Sequence, residues 1–125
     1  MKILVIDDSL LDRKLLIRIL MKAEISQEIL QAEDGEQAME VLAGNYRDIC
    51  VVLLDWQMPK VSGIELMAGM VKIPELAALP IVMVTASGSD ENKRLAHQVN
   101  PQLAGYVVKP YKPDELIAAI KPYLK

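Results

Sequence analysis

The chain has 125 residues, 52% hydrophobic and 25% charged, with a formal net charge of −3. That length suits one domain with a real core, predicted to span residues 1–125. Its scattered basic residues imply no nucleic-acid surface, no apolar run reaches membrane-spanning length, and the start Met1-Lys2-Ile3 is strand-like rather than a signal peptide.

Lys2-Ile3-Leu4-Val5-Ile6 reads as an apolar strand that ends in two acids, Asp7 and Asp8. Ser9 then caps a helix from about Leu10 to Lys22. Leu11, Leu15, Leu16, Ile19 and Leu20 give that helix one wide apolar face, with Asp12, Arg13, Lys14 and Arg18 elsewhere on its surface. Glu28 to Ala32 has the mixed character of an edge strand. Asp34-Gly35 is a turn, and a short helix over Glu36 to Ala43, with Ala38, Val41 and Leu42 inward, is expected to stop at Gly44.

The next strand, from about Cys50 to Asp55, contains four consecutive apolar residues, Val51-Val52-Leu53-Leu54, a pattern of burial on both faces. Cys50 is the only cysteine, so no internal disulfide can form; it reads as a small hydrophobe in a reducing, cytoplasmic setting. Met58-Pro59 and Ser62-Gly63 break the pattern, which leaves Asp55 where strand becomes loop. A Met-rich helix is expected from Ile64 to Ile73, ended by Pro74. Pro80 to Thr85 is another apolar strand, with a hydroxyl at its end. Ser87-Gly88-Ser89-Asp90 is loop and cap for a polar helix over Glu91 to Val99. Gly105 to Lys109 is the last strand and ends in a cation. Pro113, Asp114 and Glu115 open the final helix, whose stripe is Leu116, Ile117, Ile120 and Leu124.

Five strands alternating with five helices predict a parallel sheet covered on both faces and joined by right-handed crossovers. The fold class is therefore α/β, and five units are too few for an eight-fold barrel. In an open doubly wound sheet, the carboxyl ends of the strands meet at one edge. That edge receives Asp7, Asp8, Asp55, Thr85 and Lys109. Each has a plain alternative role: a helix cap for Asp7-Asp8-Ser9, a β-branched strand residue for Thr85, a solvated end for Lys109. Four coincidences at four strand ends favour a site. Two carboxylates ~4 Å apart repel by ~4 kcal/mol at an effective dielectric of about 20, and a divalent cation relieves that strain. Magnesium suits oxygen ligands and pairs with phosphate, so the pattern suggests a phosphoryl group meeting a metal-held aspartate nucleophile.

The stretches Ile6-Asp7-Asp8-Ser9, Leu54-Asp55-Trp56-Gln57-Met58-Pro59, Ser62-Gly63, Val84-Thr85-Ala86 and Val108-Lys109-Pro110 resemble, in order, the receiver domain of bacterial two-component response regulators. The resemblance spans almost the whole chain. It implies a flavodoxin-like (βα)5 domain with strand order 2-1-3-4-5. It also implies that Asp55 accepts phosphate from a sensor histidine kinase or phosphotransfer protein. Asp8, Asp55 and the main-chain carbonyl of Gln57 would bind Mg2+ directly, with Asp7 helping through water. Lys109 would pair with the phosphate, Thr85 would hydrogen-bond it, and Tyr106 would respond. The implied output is a changed surface on the fourth helix, last strand and fifth helix, read by a protein partner or an output domain. By the same resemblance the Lys109–Pro110 bond is cis, and the domain is no metabolic enzyme, though it catalyses its own aspartyl phosphorylation and dephosphorylation.

Three other functions share parts of this pattern. An aspartyl-phosphate phosphatase typically has a second aspartate two residues after its nucleophile, where this chain has Gln57. A pseudo-receiver scaffold does not need the complete set Asp7, Asp8, Asp55, Thr85 and Lys109, and the strand-end acids would repel a flavin's phosphate. Trp56 is bulkier than the aliphatic residue usual beside the acceptor, and Asn100 to Ala104 lacks the small-acidic run common before the last strand. His97, on the polar helix, and the pair Lys93-Arg94 read as surface residues; Met67, Met70 and Met83 read as core filler, and Tyr111 and Tyr123 as packing anchors.

Overall fold

The computed structural model describes residues 1–124. Five strands, β1 (Lys2–Ile6), β2 (Glu28–Ala32), β3 (Ile49–Leu54), β4 (Ile81–Thr85) and β5 (Gly105–Val108), pair in parallel in the order β2-β1-β3-β4-β5. The helices between and after them are α1 (Leu10–Lys22), α2 (Gly35–Asn45), α3 (Gly63–Met70), α4 (Asp90–Val99) and α5 (Pro113–Ile120). A one-turn helix at Pro74–Ala77 and two short 3-10 turns, Tyr46–Asp48 and Lys121–Tyr123, complete the path.

The inner strands are apolar along nearly their whole length, which suits a sheet covered on both faces. Alternate residues Ile3, Val5, Val51, Leu53, Val82, Val84 and Val107 pack against Leu16 and Leu20 of α1 and Leu116 and Ile120 of α5. The other set, Leu4, Ile6, Val52, Leu54, Ile81 and Met83, packs against α2, α3 and α4 through side chains such as Leu42, Met67, Met70 and Ala96. Each such Leu or Ile stabilises the fold by roughly 1.5–3 kcal/mol on burial. β3 is central and buried at every residue, while the edge strand β2 buries only Ala32 fully. The three methionines expected as core filler, Met67, Met70 and Met83, are all fully buried.

Register explains how the acids meet. Ile6 lies beside Leu54, so the residues that follow them, Asp7 and Asp55, leave the sheet side by side. The Asp55 N–H donates to the Ile6 carbonyl at 2.9 Å. Thr85 is paired with Val108, and the Lys109 N–H donates to the Thr85 carbonyl at 2.9 Å. The strand order thus sets Asp7, Asp55, Thr85 and Lys109 along one edge.

Several expected boundaries shift. Gly44 lies inside α2 and does not stop it; among the described residues no glycine has positive φ, and α2 ends without a left-handed glycine. α3 begins at Gly63 and ends at Met70, because Ser62 and Glu65 form a reciprocal capping box, and Pro74 opens a turn of its own. α4 begins at Asp90 under the Ser89 cap. α5 ends at Ile120, leaving Leu124 beyond the last 3-10 turn but still packed against the same layer. The wide apolar face expected of α1 is narrower: Leu11 is 68% and Leu15 49% exposed. Leu16 and Leu20 are buried against the sheet with Ile19 half-buried beside them, and Arg13, expected at the surface, is buried as well.

Candidate functional site

Asp55 is delivered by the most buried strand of the sheet and is itself only 8% exposed. Its Oδ1 accepts the following N–H, that of Trp56, at 2.8 Å. The loop then turns back so that the Gly63 N–H donates to the Trp56 carbonyl at 2.7 Å. A Cβ at Gly63 would lie 1.9 Å from the Asp55 carbonyl oxygen, so the start of α3 can sit against the acceptor strand only without a side chain there.

Asp7 is equally enclosed. One carboxylate oxygen accepts the Ser9 N–H at 2.9 Å, and the other accepts Lys109 Nζ at 2.8 Å. Asp8 is exposed beside it. Asp7, Asp8 and Asp55 each place a carboxylate oxygen within 4.8 Å of the others, a group of hard oxygen donors that could hold a metal ion. Asp8, Trp56, Gln57, Met58, Pro59 and Ser62 line an open cleft of about 480 Å³. Gln57 thus shares this cleft with Asp8, and it is exposed to solvent. Trp56 both lines the cleft and packs its half-buried ring on the α2/α3 core, which reconciles its bulk with its position.

Lys109 closes the site from β5. Besides Asp7, its Nζ lies 2.8 Å from Asp12 Oδ2 and 3.6 Å from Asp55 Oδ2. Burial by itself would favour the neutral amine, but hydrogen bonds to Asp12 and Asp7 and the charges of Asp55 and Asp7 outweigh it, holding the ammonium well above the usual lysine range. Asp55 shifts the other way from most paired acids. Burial and then the charge of Asp7 hold its carboxyl above the usual range, against the opposing pull of Lys109, the Thr85 hydroxyl and the Trp56 N–H. A carboxylate lifted in this way is a more basic nucleophile than a solvated one.

Thr85 is 1% exposed, and its Oγ1 also accepts the Ser87 N–H at 3.2 Å. The Tyr106 hydroxyl donates to the Ser87 carbonyl, and Asn92 of α4 donates to the Ser87 hydroxyl. Lys93 stands over the Tyr106 ring at 5.9 Å from its centroid, a contact the reading of Lys93 as plain surface did not foresee. Burial, partly offset by the Ser87 hydrogen bond and reinforced by Asp55, raises the Tyr106 phenol. The Lys109–Pro110 peptide bond is cis.

The structure therefore brings Asp7, Asp8, Asp55, Thr85 and Lys109 to one edge, with Gln57 beside them and Tyr106 one loop away. Asp12 and Arg13 belong to the site and were missed. Asp12 lies three residues after the Ser9 cap, in the first turn of a helix whose start abuts the strand ends, and that position is readable in sequence. Arg13 donates to the Asp7 main-chain carbonyl and, through Nε, to Gln31 Oε1 at 3.1 Å. His97 is exposed, as expected.

The model of the response regulator receiver domain matches residues 3–121 of this chain. The chain belongs to that family. Among curated proteins it is 38% identical to the phosphate regulon transcriptional regulatory protein PhoB of Pseudomonas aeruginosa over 98% of its own length, but it spans only 51% of that relative. It is 33% identical to a chemotaxis protein CheY homolog of Campylobacter jejuni, over 93% of this chain and 86% of the relative. Among solved structures, the chemotaxis protein CheY4 of Vibrio cholerae superposes with a TM-score of 0.82 at 29% identity, covering 98% of each chain. The Francisella response regulator 1452 receiver domain gives 0.80 at 30% identity, over 98% of this chain and 95% of that one. Receiver domains are signalling modules rather than metabolic enzymes, and their partners are histidine kinases or phosphotransfer proteins. Among the described residues, no helix is long and apolar enough to cross a membrane.

Proposed function

We propose that this receiver domain, spanning residues 1–125, takes a phosphoryl group onto Asp55 from the phosphohistidine of a sensor histidine kinase or phosphotransfer protein. The added charge would reset the surface formed by α4, β5 and α5 and so control a protein partner or an output domain. One observation carries the reading: Asp55 ends the fully buried central strand among two further carboxylates, with Lys109 Nζ 3.6 Å from its Oδ2. The setting proposed for this exchange is the cytoplasm.

The donor set fits a hard divalent cation, because every available group is an oxygen. Asp8, Asp55 and the main-chain carbonyl of Gln57 would hold Mg2+, with Asp7 contributing through water. When bound, the ion supplies neutralisation of the charge that gathers on the transferring group. A carboxylate oxygen of Asp55 forms the new bond to phosphorus as the phosphorus–nitrogen bond of the donor breaks and its imidazole leaves. Lys109 meets the phosphoryl oxygens as a point charge, and the Thr85 hydroxyl donates to them. Tyr106 senses the loop after β4 through the Ser87 carbonyl. Hydrolysis of the acyl phosphate later returns the domain to its resting state.

Incubation with acetyl phosphate and Mg2+ should add one phosphoryl mass to the wild-type chain, read by intact mass spectrometry, and none to Asp55→Asn. Full labelling of the variant would move the acceptor elsewhere and defeat the assignment.

A further inference from the structure

The Ser9 Oγ accepts the Asp12 N–H at 3.1 Å and so fixes Asp12 in the first turn of α1. An acid there gains from the helix dipole, which would account for the residue type without any partner. The geometry adds a partner. Asp12 Oδ2 stands 2.8 Å from Lys109 Nζ, as near as Asp7 Oδ2, while Asp55 Oδ2 is at 3.6 Å. Of the three ammonium protons, two are thus directed at Asp7 and Asp12. The neighbouring Arg13 is buried and tied to the Asp7 main-chain carbonyl, which anchors this turn of α1 to the end of β1.

We propose that Asp12 is a positioning residue that holds Lys109 back from Asp55 in the resting domain and competes with the phosphoryl group for its ammonium. The inference rests on Asp55 being the phosphoacceptor. Asp12 acts through Lys109 rather than on the reacting atoms. Phosphorylation brings roughly −1.5 to −2 charges to Asp55, and the ammonium then exchanges its hydrogen bond to Asp12 for one to a phosphoryl oxygen. Asp12 is the partner suited to release it. Its side chain is 39% exposed and regains water on release, whereas that of Asp7 is 9% exposed and already tied through its other oxygen to the Ser9 N–H. The pair is a brake: it costs the phosphorylated state whatever the resting Asp12–Lys109 contact contributes.

Beryllofluoride, a phosphoryl mimic, can be titrated into the full chain at saturating Mg2+, with Trp56 fluorescence as the signal. Asp12→Asn should bind it about three- to fivefold more tightly than wild type, the size of effect expected for a half-exposed ion pair. In the same variant, without beryllofluoride, the Lys109 Nζ resonance should move from its wild-type position, because one of its carboxylate partners is gone. Mg2+ affinity should stay within about threefold. Unchanged or weaker beryllofluoride binding overturns the proposal. So does tighter binding with an unmoved Lys109 signal, which would reduce Asp12 to a diffuse source of negative potential, and so does a larger fall in Mg2+ affinity, which would make it a metal ligand. A wild-type chain that gives no beryllofluoride response contradicts the acceptor reading of Asp55 instead.

Discussion

The two flanks of Asp55 are built from different chemistry. On the β1–α1 side, Asp7 and Asp12 hold one ammonium at ion-pair distances of 2.8 Å, with the Asp8 carboxylate beside Asp7. On the β4–β5 side, Thr85, Ser87, Asn92 and Tyr106 are joined by neutral hydrogen bonds that run from strand to loop to helix. The charged flank is anchored by buried strands and by Arg13 beneath the Asp7 carbonyl. The neutral flank runs from Thr85, at the end of the buried β4, out to the loop and to β5, where only Val107 is fully buried. Neutral hydrogen bonds contribute about 1 kcal/mol each and can be exchanged cheaply, whereas a charge left without its partner in a buried site costs several times more. The first flank is suited to hold a reacting group in place, and the second to move when that group changes.

Gly63→Ala should have the largest effect, disturbing Asp55 between the two flanks, since its Cβ would meet the Asp55 carbonyl oxygen and carbon. A loss of about 3 kcal/mol in urea unfolding is expected, with α3 displaced from the acceptor loop. A loss below about 0.5 kcal/mol would show that the loop has slack. Asp8→Ala should weaken Mg2+ binding at least about tenfold, followed by Trp56 fluorescence, because it removes a charged oxygen donor from the cluster. An unaltered titration would take Asp8 off the ligand set.

A smaller effect concerns the acceptor's own charge. Burial and the charge of Asp7 raise the Asp55 pKa in the folded chain above the ordinary carboxylate value of 3.8, so folding favours the protonated form. Its contribution to stability is fully present below 3.8 and is lost as the pH rises through the raised value. Without Mg2+, Asp55→Asn should therefore melt higher than wild type at neutral pH, and the gap should close as the pH falls toward 3.8. A variant that melts lower at neutral pH would mean that Lys109 over-compensates the burial of this acid.

The same contrast explains what the sequence revealed. Strand ends were legible because each is an apolar run broken by one polar type, and Asp7, Asp8, Asp55, Thr85 and Lys109 all fall at such breaks. The strand order came from the family resemblance; alternation alone left it open. Periodicity showed that α1 is apolar over a wide arc but not which part of the arc meets the sheet, so Leu11 and Leu15 were placed inward while they lie in solvent. Arg13 was missed because a long side chain can run beneath its own helix and place its charge on a main-chain oxygen. The Tyr106 hydroxyl finds a main-chain carbonyl at Ser87, and such a partner has no side-chain signature to read.

On the proposed function, reaction and response sit on different flanks and are joined at Thr85. The direct measurement is NMR of Tyr106 and of residues 91–99, with and without beryllofluoride and Mg2+, in wild type and Thr85→Ala. Thr85→Ala should still gain one phosphoryl mass at Asp55 from acetyl phosphate but lose most of the wild-type shift at Tyr106 and along α4. Equal shifts in the two proteins would contradict it.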